Sequence, residues 1–221
     1  MAHPDRYAML LTALPYHGPL FGATQTPLSR FRLNQRLSLL GEDEARCLQD
    51  ARRVIEWAQQ PSERTDAETV REARRLIERI DNRFVRDLVV WRLELRTLVA
   101  ALRRRHRGED VPRGRDWGFG RWVGHLQRHW HEPAFGLERA FPWLPEAERH
   151  LRTGAAVDLE RLLLGVVWDR LERLSDGHYL DFEAILIYVL RWDLIARWTS
   201  YDGERALQRF DALLERALAD L

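Results

Sequence analysis

An all-α fold, a multi-helix bundle of roughly eight to ten helices, is predicted by three features of this 221-residue chain. Apolar side chains recur at spacings of three and four over most of its length. Glycine, proline and capping residues punctuate those stretches. The run richest in β-branched residues, Ala184–Leu190, continues at helical spacing through Trp192, Ile195 and Trp198, which is too long for a strand. Hydrophobic residues at 45% and charged residues at 31% give a globular rather than a disordered profile. Nine tryptophans supply ample apolar area for a core or an interface.

The first 25 residues are rich in glycine and proline, and Tyr7–Leu14 is a short apolar run that reads equally as strand or helix. Thr26-Pro27 supplies an N-cap with proline at the first helical position, predicting a helix to about Leu40 with Gly41 just past its end. From Glu42 to Gln60, Ala45, Leu48, Ala51, Ile55 and Ala58 keep helical spacing, and Pro61 closes the segment. Thr65 and Glu68 form a capping box before a stripe of Val70, Ala73, Leu76, Ile77 and Ile80.

Residues 83–106 make the longest candidate helix, with Phe84, Leu88, Trp91, Leu95, Leu98 and Leu102 along one side. It ends in arginines, placed where the helix dipole favours cations. Gly108, Pro112 and Gly114 mark a loop, which divides the chain into an N-terminal helical part, 1–107, and a C-terminal part, 108–221, packed with it. Residues 115–150 are dense in Trp, Phe, His, Gly and Pro and predict short helices packed by aromatics. Helical periodicity returns at Glu146–Leu151 and Asp158–Leu174, and Ser175-Asp176-Gly177 is a turn. Asp181 caps the next helix, whose all-round apolarity predicts a central position. Gly203 precedes a last amphipathic helix with Ala206, Phe210, Leu213, Leu214 and Leu218.

Charge and composition exclude several classes. The 35 basic and 34 acidic side chains nearly cancel, whereas a nucleic-acid binder carries a clear basic excess. Every basic residue in that count is arginine, so Schiff-base chemistry and a phosphate-loop lysine are closed to the chain. The lone Cys47 excludes a disulfide framework and fits a reducing cytoplasm. There is no signal peptide and no run of about 18 apolar residues that would span a membrane.

A search for chemistry yields two clusters. His125 and His129 stand four apart on a helix, with His131 and Glu132 following, a spacing that lets two imidazoles reach one zinc ion. The glutamate of a metalloprotease helix is missing between them, so an aromatic, half-exposed surface with Trp122 and Trp130 is the plainer reading. No metal, cofactor or catalytic residue is therefore assigned, although a small metal-binding protein or enzyme using His125, His129 and His131 stands as the alternative. The run Arg103-Arg104-Arg105-His106-Arg107, continued by Arg113 and Arg115, offers an anion-facing patch. Glu109, Asp110 and Asp116 beside it favour a solvated helix end. Arg103, Arg104, Arg105, Trp122 and Trp130 remain as candidates for contact with a partner, since arginine and tryptophan dominate binding hot spots.

The opening Tyr7-Ala-Met-Leu-Leu-Thr-Ala-Leu-Pro15 resembles the start of an uncharacterised bacterial family found beside genes for V/A-type ATPases. Phe141-Pro-Trp-Leu-Pro-Glu-Ala147, Leu159-Glu-Arg161, Trp168, Phe182-Glu-Ala184, Tyr188 and the segment Arg191–Trp198 continue it, and the ending is similar to the helical pattern of the ATPase C (or d) subunit. The resemblance implies a non-catalytic, cytoplasmic protein, peripheral to the membrane through the ATPase. Its partners would be the central stalk and the membrane ring of a proton- or sodium-transporting rotary ATPase. The C subunit is larger and three-lobed, so the resemblance implies a reduced coupling subunit, an assembly factor or a relative with a changed role.

Overall fold

The computed structural model describes residues 4–55 and 66–219, with side chains at all of these except 4, 66, 67, 69 and 201–219. Nine α-helices and no strand occur among the described residues, so the fold is all-α. They are α1 (Pro4–Thr12), α2 (Arg30–Leu37), α3 (Glu42–Ile55), α4 (Asp66–Glu78), α5 (Arg83–His106), α6 (Val123–Arg128), α7 (Leu144–Arg152), α8 (Ala156–Ser175) and α9 (Phe182–Ala219). The Thr65 capping box, the stretch to Gln60 with its stop at Pro61, and the Ala206–Leu218 stripe lie outside the described residues and side chains.

Packing groups the chain differently from a division at residue 108. One compact unit joins residues 1–40 to 167–221, and the other comprises 41–166.

In the unit of 41–166, α3, α4 and α5 pack on one another. Each presents a stripe at helical spacing: Leu48, Ala51 and Val54 on α3, Val70, Ala73 and Leu76 on α4, and Leu88, Leu95, Leu98 and Leu102 on α5 are buried. Asn82 starts α5, its side-chain oxygen accepting from the Val85 amide at 3.0 Å. The far half of α5 packs against the aromatic-rich segment around Trp117, Val123, Leu126, Trp130 and Phe135.

Two tight features position that segment. Gly118 lies so close to α5 that a Cβ there would stand 2.6 Å from the Thr97 methyl. Thr97 Oγ1 accepts from the Phe119 amide at 2.8 Å and lies 3.0 Å from the Phe119 carbonyl. Further on, Ala134, Phe135 and Gly136 take positive φ in succession (45°, 56° and 65°), a left-handed turn that costs a β-carbon-bearing residue about 1–2 kcal/mol. It is held by Glu148, whose Oε2 accepts from the Ala134 amide at 3.1 Å, and by complete burial of the Phe135 ring.

In the unit of 1–40 with 167–221, α9 is central, as its all-round apolarity predicts. Phe182, Ile185, Leu186, Ile187, Val189, Leu190, Trp192, Leu194 and Ile195 are all buried. Asp181 caps it through Oδ1, which accepts from the Ala184 amide at 2.9 Å. The expected break at Gly203 is corrected: α9 runs unbroken to Ala219. An isolated glycine costs a helix about 1 kcal/mol and keeps its N–H, unlike proline, so a long helix carries it.

The start of the chain departs from expectation in two places. The undecided apolar lead-in is helix α1, with Tyr7 and Leu10 buried. The second helix begins at Arg30 rather than at Pro27, capped by Ser29 Oγ, which accepts from the Arg32 amide at 3.3 Å. The Leu28 carbonyl, which an earlier start would turn toward residue 32, instead accepts from the Trp192 indole N–H. Gly41 opens α3 rather than closing α2. Its amide donates to Glu44 Oε2 at 3.0 Å and its carbonyl accepts from the Ala45 amide at 2.8 Å.

Candidate functional site

The leading segment is tied to α9 by three aromatic side chains. Tyr188 Oη donates to the Pro15 carbonyl at 2.9 Å, and Trp192 Nε1 donates to the Leu28 carbonyl at the same distance. The Trp198 ring meets the Phe21 ring edge-on, centroids 5.1 Å apart. Residues 188 and 192 are four apart, so both project from one face of α9.

His17 enters between these contacts. Its ring lies 3.9 Å from the Tyr188 ring and meets the Trp168 ring edge-on at 6.3 Å. Burial pushes the imidazole down to about 4, and the Arg191 charge acts in the same direction against a smaller opposing contribution from the Tyr188 backbone, so His17 is neutral at pH 7. The Tyr188 phenol is pushed up to about 12, also mainly by burial, with the Arg36 charge opposing.

Arg191 completes the cluster. Its guanidinium lies over the Trp168 ring at 4.9 Å, and Nη2 stands 3.8 Å from Oε1 of the exposed Glu172, an ion-pair distance but not a hydrogen bond. Arg191 Nε and Nη2 and His17 Nε2 are buried and have no hydrogen-bond partner.

The same unit carries the exposed large hydrophobic side chains. Tyr16 is 88% exposed, Phe31 77% and Tyr179 75%, joined by Met9, Leu39 and Leu180. Among the described residues every large hydrophobic this exposed belongs to 1–40 or 167–221. Scattered exposed apolar residues are ordinary, but their confinement to one unit marks that unit for contact.

The candidates from the sequence fall elsewhere. His125 Nε2 lies 2.9 Å from the Phe135 carbonyl, and His129 Nδ1 lies 2.8 Å from Glu132 Oε1. Their rings stack at 4.2 Å, and His131 is exposed. Two rings stacked nearly parallel, each with a nitrogen engaged, brace the left-handed turn and do not converge on an ion. Trp130 is corrected from contact candidate to core residue: it is 2% exposed and meets Trp117 edge-on at 6.1 Å. Trp122 is half-buried, packed against Phe141 at 5.2 Å.

The arginine run divides by position along α5. Arg105 is structural: Nη1 donates to the carbonyls of Trp130 (3.1 Å) and Glu132 (2.5 Å), Nη2 pairs with Glu148 at 2.9 Å, and its guanidinium lies 4.1 Å over the Phe135 ring. Arg104 pairs with Glu109 at 3.4 Å and lies over the Trp117 ring. Arg103 is exposed.

A different trio has ligand-type atoms within 4.8 Å of one another, namely His178, Asp181 and Glu183 at the start of α9. There His178 Nδ1 lies 2.6 Å from Asp181 Oδ2, while the other oxygen of Asp181 serves the Ala184 amide. Both oxygens of Asp181 are thus engaged, Oδ1 in the helix cap and Oδ2 with His178. No helix among the described residues is long and apolar enough to cross a membrane.

Residues 65–219, well over half of the chain, match the family described as "Protein of unknown function (DUF2764)", and the chain belongs to that family. No curated protein and no solved structure matches it.

Proposed function

We propose that this member of the family works as a non-catalytic interaction subunit of a V/A-type rotary ATPase, coupling the central stalk to the membrane ring or aiding assembly. The observation that carries the interaction reading is that, among the described residues, the exposed large hydrophobics all fall in the unit of 1–40 and 167–221. A docking surface needs apolar side chains free to be buried by a partner, on a support that does not rearrange. Met9, Tyr16, Phe31, Leu39, Tyr179 and Leu180 are of the first kind, and the tethers from α9 to Pro15 and Leu28 give the second.

The choice of partner comes from the resemblance in Tyr7–Pro15, in Phe141–Ala147 and in 182–198, and from nothing else. Much of the first of those stretches lies in α1, where Tyr7 and Leu10 are buried while Met9 is exposed. A membrane connection would run through the partner. The test is affinity capture of the tagged full-length protein from its own host under mild conditions. Stalk and ring subunits should co-purify with it, and Tyr16→Ser or Phe31→Ser should weaken their recovery without altering the circular dichroism. Capture that brings down no ATPase subunit would overturn the assignment.

A further inference from the structure

We propose that the side edge of the Arg191 guanidinium, which lies over Trp168 and whose charge acts on His17, is a binding site for a carboxylate supplied from outside the chain. Nε and Nη2 together form the fork that an arginine offers side-on to a carboxylate, two parallel N–H donors matched to two oxygens. Both are buried and neither makes a hydrogen bond, although buried donors are almost always paired. His17 Nε2 is a third unpartnered nitrogen in the same cluster. Two aromatic rings hold these groups in place: Trp168 under Arg191, and Tyr188 against His17. The tyrosine is itself anchored through Pro15.

The charge balance favours an anion. Arg191 and Arg36 act on His17 and Tyr188 respectively, and the acidic group facing Arg191 is the exposed Glu172, 3.8 Å away. At that distance Glu172 supplies charge but not the two hydrogen bonds. An incoming carboxylate takes Nε and Nη2 as Glu172 swings into solvent, where its exposed position already leaves it. The carboxylate belongs either to a small organic acid or to an acidic side chain of a docking protein, and both present the same two oxygens.

The anion also leaves a signature on His17. A negative charge beside the imidazole favours its protonated form, so binding draws its titration up from about 4 toward the usual histidine range. The experiment follows the His17 ring signals of the full-length protein by NMR from pH 4 to pH 8, at fixed ionic strength. Acetate is the free-acid probe, and a peptide rich in glutamate and its glutamine counterpart are the side-chain probe. Saturable acetate binding that raises the His17 midpoint is expected, and Arg191→Lys, which keeps the charge but loses the fork, should bind about tenfold more weakly. Glu172→Gln, at an exposed position, should bind more tightly. A response to the glutamate peptide at far lower concentration than to acetate assigns the site to a protein partner, and the reverse assigns it to a small acid. No saturable shift in wild type or in Glu172→Gln, or an equal response in Arg191→Lys, overturns the site. These outcomes do not depend on whether ATPase subunits co-purify.

Discussion

Replacing Trp192 by phenylalanine should release the leading segment while leaving the unit of 41–166 intact. The indole N–H donates to the Leu28 carbonyl at 2.9 Å from a ring that is 2% exposed, so the substitution leaves a buried acceptor without its donor. An orphaned buried polar group costs about 1–3 kcal/mol. The smaller ring gives up some apolar burial as well, on the order of 1 kcal/mol at about 25 cal/mol per Å². A total near 2–4 kcal/mol lowers the cost of opening the segment, and amide exchange there speeds by about 30- to 900-fold. Hydrogen exchange read by mass spectrometry on peptides covering 5–40 and 83–106 measures both regions in one sample. Acceleration confined to the first region is the expected result. Acceleration below about threefold, or equal acceleration in both, would refute the view that this bond is what ties Leu28 to α9.

Acidification should destabilise the protein through His17. Its folded value of about 4 lies below the 6.5 of an unfolded histidine, so the unfolded chain binds the extra proton between those values. Stability from this group is complete above pH 6.5 and is lost as pH falls toward 4, by up to about 3 kcal/mol at 1.36 kcal/mol per unit. Urea titrations at pH 7.5 and 4.5 should show a smaller difference for His17→Gln than for wild type; equal differences would count against the buried neutral imidazole. Gly118→Ala should lower stability by about 1–3 kcal/mol, because its methyl would meet Thr97 at 2.6 Å and Val123 at 3.2 Å. Thermal melting checks this, and an unchanged midpoint would show that α5 yields. Arg105→Met should cost about 2–4 kcal/mol, since it strips the Trp130 and Glu132 carbonyls and Glu148 of their common partner. Arg103→Met, at an exposed position, should stay within about 0.5 kcal/mol. Similar losses for the two would contradict the structural role given to Arg105.

The helices were legible because their signals are local. The stripe of α5, the cap at Asp181 and the all-round apolarity of residues 182–195 are each read within a few turns of chain, and the structure repeats them. The start of the second helix failed where a distant group intervened. Thr26-Pro27 is a good local start, but the Leu28 carbonyl answers to an indole 164 residues away, and the helix waits for Ser29. Trp130 and Arg105 serve the interior for a related reason. Tryptophan and arginine dominate interfaces, yet the same chemistry serves a core: a large ring buried at 2% and a guanidinium binding two carbonyls and a carboxylate look identical in a sequence to contact residues.

The cluster around His17 was illegible on stronger grounds. Its members come from the leading segment, α8 and α9, and the bond from Tyr188 to Pro15 spans 173 residues, so no spacing rule connects them. What gives the cluster meaning is also not a residue type but an unmet need. Arginine 191 in a sequence is one of many; only the fold shows Arg191 lying on Trp168 with Nε and Nη2 both buried and neither hydrogen-bonded, a cost that buried donors rarely bear. If Glu172 were a sufficient partner, its carboxylate would stand at hydrogen-bond distance, as the Glu148 carboxylate does at 2.9 Å from Arg105. It stands 3.8 Å away instead, with most of its side chain in solvent. Arg105 thus meets a carboxylate of its own fold at 2.9 Å, whereas the carboxylate paired with Arg191 stands 3.8 Å off, and it is this gap that the proposed ligand would close.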